Sequence, residues 1–167
     1  MTTNPTSKGL SRGAKIALSL VALGALCVPC TGMLAAFAVP SFVRYVRESK
    51  AAEARTNLSA LRGLVEHAEG PIALGPTPPL DTLGGAPRPF GDEAGWHALG
   101  FSPPLPVHYS YLVLRDPAAG TVHVEAIGDL DQDGLRSRFF LDGRFDPALG
   151  SAGMMTWGET IELDPLE

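Results

Sequence analysis

Three aspartates at alternate positions carry the clearest potential chemistry in this 167-residue chain. Asp129, Asp131 and Asp133 precede Gly134, and this Asp-x-Asp-x-Asp-Gly spacing lets a tight loop turn three carboxylates toward one cation. Calcium is the natural candidate because it prefers carboxylate oxygens. The segment therefore predicts a calcium site. An ordinary solvated turn is the alternative, since Asp and Gly also favour turns for local reasons.

The calcium pattern is incomplete at its far end. In an EF-hand loop a bidentate Glu would stand where this chain has Phe140, so other groups would have to complete the ligand set. Candidates are Asp142, Asp146, the Ser137 hydroxyl and main-chain carbonyls. Calcium is thus an optional ligand, and the sequence requires no cofactor.

Histidines and cysteines give no support for catalysis. His108, His123 and Glu125 are predicted to share the outward face of a hairpin, with the histidines about 13 Å apart, too far for one metal ion. Cys27 and Cys30 lie in an apolar segment, which disfavours the reactive thiolate. No His-Glu-x-x-His or phosphate-binding glycine motif occurs, and the one Gly-x-Ser-x-Gly pattern, at residues 9–13, lies in the predicted basic leader rather than between a strand and a helix. We therefore predict that the chain is not an enzyme.

An uncharged stretch near the amino terminus predicts a membrane anchor. Residues 16–39 are 24 positions without a charged side chain, enough for a helix to cross roughly 30 Å of hydrocarbon. The sequence predicts a transmembrane helix there, after a basic leader at residues 1–15. A cleaved signal peptide is the alternative, because Ala36-Phe37-Ala38 resembles a cleavage site, but the apolar run exceeds the usual signal length. Basic residues on both sides leave the orientation open.

Charge is divided unevenly along the chain. Residues 1–69 contain eight Lys and Arg against four Asp and Glu, whereas residues 70–167 contain five against fourteen. The two parts therefore carry +4 and −9. The basic part suits anionic lipid headgroups, while the acidic part would repel nucleic-acid phosphates. We expect no nucleic acid to bind the distal part.

Residues 40–69 are predicted to continue the helix in amphipathic form. Apolar side chains recur seven apart in two series, which form one stripe suited to packing on a sheet. A coiled-coil seam is the weaker alternative, since the stripe covers fewer than three heptads and includes alanines. The residues expected to serve helix packing or assembly are Pro40, Phe42, Tyr45, Ala51, Ala54, Leu58, Leu61 and Val65.

Residues 70–167 are predicted to form a globular head. Residues 70–106 are rich in proline and glycine and read as an irregular loop, with a helical turn near 92–99 and its second half docked on the core. Residues 107–163 read as an antiparallel meander, with Arg115 opposite Gly120 in the first hairpin. The predicted strands are 107–115, 121–127, 138–141 and 155–163. The fold class is therefore α+β, with a long N-terminal helix packed on a small antiparallel sheet.

Two groups of residues resemble type IV pilins and pseudopilins. The run from Leu34 through Pro40 to Tyr45, with Ser49-Lys50-Ala51-Ala52-Glu53-Ala54-Arg55-Thr56-Asn57-Leu58, is similar to the central helix of that family. The head resembles one pilin subgroup at Trp96, Gly100-Phe101, Tyr109-Ser110-Tyr111 and Gly128-Asp129-Leu130-Asp131-Gln132-Asp133-Gly134. This resemblance, over roughly residues 33–141, implies a ladle-shaped subunit whose helices bundle at a filament centre and whose head lies outside the inner membrane.

The amino terminus departs from the family pattern. Alignment on Pro40 puts Leu18 at the cleaved glycine, Ser19 at the N-methylated aromatic residue and Leu23 at the acidic position that pairs with a neighbouring subunit. None of the three has the family's residue type. The departure favours a minor, tip-like or unprocessed anchored role over that of the main filament subunit.

The resemblance implies a structural function. The first hypothesis is a subunit of a type IV pilus or type II secretion-type filament, with a single inner-membrane pass and a periplasmic or extracellular head. Its partners would be other pilin-like subunits, the assembly machinery and membrane lipid. The second hypothesis is a membrane-tethered, non-polymerising binding module, with calcium as an optional ligand. A tethered enzyme ranks last, because no convergent polar site is found.

Overall fold

The computed structural model describes residues 11–91, 93–146, 148 and 155–166, without the side chains at 22, 23, 25–32, 34 and 35. The chain divides into two compact units, Met1–Val43 and Arg44–Glu167. The first ten residues of the predicted leader therefore lie outside the described residues. So do many side chains of the predicted transmembrane segment.

The longest element is helix α1 (Arg12–Glu66), 55 residues that include parts of both units. Pro40 lies within it without ending it, in agreement with the sequence analysis. In the part of the chain that the structure describes, no helix combines the length and apolar character needed to cross a bilayer. After Glu66, the main-chain N–H groups of His67 and Ala68 bond three residues back, which tightens the last turn before Gly70.

The second unit contains an antiparallel sheet in the order β1-β2-β3-β4-β5, with β6 also paired to β4. Between the strands lie a 3-10 helix at Leu80–Thr82 and helix α2 at Ala94–Leu99. The strands are β1 (Ile72–Thr77), β2 (Tyr109–Asp116), β3 (Thr121–Gly128), β4 (Ser137–Arg144), β5 (Thr156–Trp157) and β6 (Ile161–Leu163). The α+β class and the packing of a helix on an antiparallel sheet are confirmed.

The hairpin of β2 and β3 has a register different from the predicted one. Arg115 is opposite Val122 rather than Gly120, because Asp116 and Thr121 form the last pair. The Asp116 carboxylate accepts the main-chain N–H groups of Ala118 and Ala119, which shapes a four-residue connection. A shift of two residues keeps every side chain on its predicted face, so the core assignment is unaffected.

Strand β1 lies in the segment that was predicted to be irregular. It pairs with β2 through Ile72, Ala73 and Leu74, and the register shifts before Thr77. Gly75 and Pro76 stand at this irregularity, and such residues indicate a turn when sequence is read alone. The predicted strand at 155–163 is instead two short strands, β5 and β6, both on the edge of β4.

The core of the second unit lies between α1 and one face of the sheet. Tyr109, Tyr111 and Val113 of β2 are completely buried there, and β3 contributes Val122 and Val124. Residues 70–106 close one side of the core with Trp96 and Phe101, which contact each other and Phe90. The prediction that the second half of this segment docks on the core is confirmed for these two residues.

Candidate functional site

The helix residues predicted to serve packing or assembly divide into a buried group and an exposed group. Five of them lie on the predicted stripe and belong to the core of the second unit, each with at most 2% of its surface exposed: Ala51, Ala54, Leu58, Leu61 and Val65. The other three, Pro40, Phe42 and Tyr45, are exposed. The role of these three in assembly stays a prediction, because their side chains are not used by the core.

The exposed part of α1 is strongly apolar. Phe42 is 66% exposed and Tyr45 is 70% exposed, and comparable side chains precede them in the first unit. Large apolar side chains on a surface mark a contact with lipid or with another protein when they are contiguous. The exposed large apolar residues of the first unit are Ile16, Leu18, Leu20, Val21, Met33, Phe37, Val39, Phe42 and Val43.

One edge of the buried stripe is fixed to β2 and its approach by polar contacts. The Glu53 carboxylate accepts the His108 main-chain N–H at 3.0 Å, contacts His108 Nδ1 at 2.8 Å and accepts the Tyr111 hydroxyl at 3.1 Å. Asn57 Nδ2 donates to the same hydroxyl at 2.7 Å, and Lys50 Nζ donates to the Gly85 carbonyl at 3.0 Å. Burial, together with the charge of Glu53, raises the pKa of Tyr111 far above its usual range, so its phenol stays a donor.

The opposite edge of the stripe is fixed to β5 and β6. Arg55 forms a bidentate ion pair with Glu162 at 2.7 and 2.8 Å. Trp157 Nε1 donates to Glu66 at 2.6 Å, while the Arg62 guanidinium lies over the indole ring at 5.6 Å. The second unit therefore holds its helix by an apolar stripe with a polar clamp on each side.

The face of α1 that points away from the sheet is lined by small residues. Within the second unit, Ala52, Thr56, Ser59 and Ala60 are exposed and Gly63 is half-buried. Apart from the adjacent residues and the nearby helix backbone, no heavy atom of the described residues lies within 4 Å of the position that a Cβ atom on Gly63 would take. Small side chains allow a second helix to approach closely.

The three aspartates predicted to bind calcium are brought together. One carboxylate oxygen from each of Asp129, Asp131 and Asp133 lies within 4.8 Å of the others. Each carboxylate accepts a nearby main-chain N–H, from Gln132, Asp133 and Leu135 respectively, so the loop also has the bonding of an ordinary acidic turn. The hard, negatively charged oxygens fit a calcium ion in kind, although three carboxylates are fewer than the six to eight ligands it takes.

The Arg47 guanidinium already provides a positive charge at this loop. Its Nη2 donates to Asp131 Oδ2 at 2.7 Å, and its Nη1 donates to the Leu166 carbonyl at 2.9 Å. A bound cation would therefore compete with Arg47 for the Asp131 carboxylate. The sequence alone gave no signal for this pair, because the two residues are 84 positions apart.

The groups proposed to complete the calcium site have other partners. Asp142 contacts His123, and Asp146 accepts the main-chain N–H of Ala148. Ser137 is completely buried and lies 3.5 Å from the Tyr109 hydroxyl. Any calcium ion would need main-chain carbonyls or water for its remaining ligands.

The histidines lie on different sides of the sheet. His123 and Glu125 share the open face, as predicted, but His108 contacts Glu53 of α1 on the other side. Val107 bridges to Arg88 rather than to β3, which takes this part of the chain out of the hairpin before β2 begins. Sequence reasoning also missed the polar contacts that Lys50, Glu53 and Asn57 make along one edge of the stripe, although their helical spacing beside the stripe was an available signal.

Comparisons of the chain with protein-family models, curated proteins and solved structures found no match.

Proposed function

We propose that the chain is a pilin-like structural subunit, minor, tip-located or filament-associated, of a type IV pilus or type II secretion-type filament. Residues 16–39 anchor it in the inner membrane, and the second unit forms the periplasmic or extracellular head. Its partners are other pilin-like subunits, the assembly machinery and lipid. It binds and assembles, and it has no catalytic role.

The observation that carries this proposal is that α1 has one face buried against the sheet and another face exposed. Within the second unit one face of the helix is sealed on the sheet by Leu58 and its neighbours, so its contacts are satisfied inside the chain. The opposite face exposes small side chains, and the preceding residues expose large apolar ones such as Phe42 and Tyr45. A helix that carried only its own domain would gain nothing from this exposed apolar surface.

Filament association is tested by shearing surface filaments from cells and analysing the fraction by mass spectrometry. The proposal expects the chain in the filament fraction of cells that produce the full-length protein, and the spectrum also defines its mature amino terminus. Phe42→Glu should remove the chain from the filaments without lowering its melting temperature, because Phe42 is exposed. Leu135→Glu is the matched control, since Leu135 is 61% exposed on the head. Absence of the wild-type chain from filaments would refute the assembly role.

Anchoring is tested separately by alkaline extraction of membranes. The wild-type chain should stay in the membrane pellet, because 24 uncharged residues can span the hydrocarbon. Replacing Leu20 and Val21 with lysine should weaken this retention, since charged side chains inside the hydrocarbon are costly. Release of the wild-type chain by alkali would contradict the anchor.

A tethered, calcium-dependent binding module is the second candidate function. The observation that favours it is the approach of three carboxylates within 4.8 Å of one another. Calcium at about 100 times its Kd would add about 2.7 kcal/mol to the stability of the head, a rise of several degrees in Tm relative to chelator. Asp133→Asn should abolish this rise while its side-chain oxygen still accepts the Leu135 N–H. Equal Tm values with millimolar calcium and with chelator would end the calcium proposal.

A further inference from the structure

The open face of the sheet, opposite α1, contains a carboxylate that is almost completely buried. Glu125 of β3 is only 4% exposed; on the same face His123 is half-buried and Ile127 is 8% exposed. Arg138 Nε donates to Glu125 Oε1 at 2.5 Å, and His123 Nε2 lies 3.4 Å from Glu125 Oε2. A buried carboxylate is stable only where donors surround it, so both partners are structurally necessary.

The imidazole of His123 stands between two acceptors. Its Nδ1 lies 2.7 Å from Asp142 Oδ1, and its Nε2 faces Glu125. Ionised carboxylates only accept hydrogen bonds, and a neutral imidazole has one N–H. Both contacts are hydrogen bonds only when both ring nitrogens carry protons. The arrangement therefore selects the imidazolium form.

His123 and Asp142 also form part of the wall of an open cleft of about 620 Å³ on this sheet. The cleft also includes Leu114, Thr121 and Arg144, the last two at the same end of the sheet as Asp142. The Asp142 side chain is 61% exposed, whereas that of Glu125 is 5% exposed. Water can therefore replace the histidine as a partner of Asp142 but not of Glu125.

We propose that His123 is a proton-operated latch, whose imidazolium ties Asp142 of β4 to Glu125 of β3 and whose deprotonation releases Asp142 and reshapes the cleft. On deprotonation the Nδ1 proton passes to water. Nε2 keeps its proton because the buried Glu125 has the greater need of a donor. The Nδ1 lone pair then faces the Asp142 carboxylate, and the repulsion turns that side chain into solvent.

The charged groups around the ring favour the protonated latch. Glu125 and Asp142 are the two carboxylates in contact with it, and Arg138 acts on it only through Glu125. Asp116 of β2 and Arg144 of β4 line the same cleft and oppose each other in sign. The hydrogen bond to Glu125 is the largest influence that raises the pKa of His123, with Asp142 adding to it and burial opposing it.

The latch is tested by NMR of the full-length chain in detergent micelles, with ¹⁵N-labelled histidine and carboxyl-¹³C-labelled aspartate, titrated between about pH 5 and 8. The His123→Gln spectrum assigns the resonance. We expect both His123 nitrogens to be protonated at the acid end and the midpoint to lie above 6.5, the ordinary value. On deprotonation the Nε2–H tautomer should appear while the Asp142 carboxyl resonance shifts at the same midpoint.

Two exposed aspartates of the cleft provide the matched variants. They are preferred to substitutions of the buried Glu125, which could prevent folding. Asp142→Asn should lower the His123 midpoint, because it removes the negative charge that stabilises the imidazolium at Nδ1. Asp116→Asn should leave it unchanged, because within the described residues the Asp116 carboxylate accepts the main-chain N–H groups of Ala118 and Ala119 and not the imidazole. A wild-type midpoint at or below 6.5, a dominant Nδ1–H tautomer, or a midpoint insensitive to Asp142→Asn would each overturn the proposal.

Discussion

Gly63→Ala should stabilise the head and at the same time weaken filament assembly. Gly63 lies inside α1 with helical backbone angles, and an added Cβ would meet no atom within 4 Å apart from its immediate helical surroundings. Alanine in a helix interior is more favourable than glycine by about 0.5–1 kcal/mol. For a unit of this size that gain corresponds to a rise of about 2–4 °C in Tm.

The assay is thermal unfolding of the full-length chain in detergent, followed by the fluorescence of its two tryptophans, Trp96 and Trp157, which both pack in the head. Gly100→Ala is the matched control, because Gly100 has a φ of 83° at the end of α2, where a Cβ is strained. That substitution should lower Tm, since left-handed backbone costs a non-glycine residue about 1 kcal/mol or more. A fall in Tm for Gly63→Ala would refute the inference that its surroundings are open.

The same variant separates stability from assembly. If another subunit's helix packs on this face, the methyl group of Gly63→Ala should reduce the amount of chain recovered in sheared filaments although the head is more stable. Wild-type recovery together with a higher Tm would show that this face is not an assembly contact.

The remaining predictions concern the attachment of α1 to the sheet. Leu58→Ala should cost about 2–5 kcal/mol in urea unfolding, because it leaves a cavity in the core, whereas Leu114→Ala, on the open face, should cost less than about 1 kcal/mol. Tyr111→Phe should cost about 1–3 kcal/mol, because it removes one partner from Glu53 and one from Asn57; Tyr45→Phe should have no measurable effect. The hydrogen bond from Arg55 holds the pKa of Glu162 below its ordinary value of 4.5, so the stability gained from this pair is complete above pH 4.5 and is lost as pH falls through the folded-state pKa. Glu162→Gln should therefore reduce the loss of stability between neutral and acid pH, and an unchanged acid dependence would contradict this assignment.

The main packing of the fold could be predicted from periodicity. Leu58 and Val65 recur at heptad spacing, and alternation along β2 and β3 gave the same buried face even though the register was two residues off. Both signals are local and depend only on the repeat of the helix or strand. Strand β1 was missed because Gly75 and Pro76 indicate a turn more strongly than its few apolar residues indicate a strand.

The polar contacts of the candidate sites could be predicted only in part. The spacing of Asp129, Asp131 and Asp133 brings their carboxylates together because a tight loop does so by itself. The partner of Asp131, Arg47, comes from the other end of the second unit, and no local pattern reveals it. His123 between two carboxylates likewise depends on the pairing of β3 with β4, which places Asp142 opposite His123.

The clamps on both sides of the buried stripe determine which way the free side of α1 faces. Turning the helix by one residue would be a roll of about 100°, and it would carry Glu53 away from β2 and Arg55 away from Glu162 together. Such a roll would break the polar contacts on both sides of the stripe at once. The direction in which Ser59 and Ala60 face relative to the sheet is therefore fixed. A neighbouring molecule that binds those residues would therefore also fix the rotational orientation of the whole head about the helix axis.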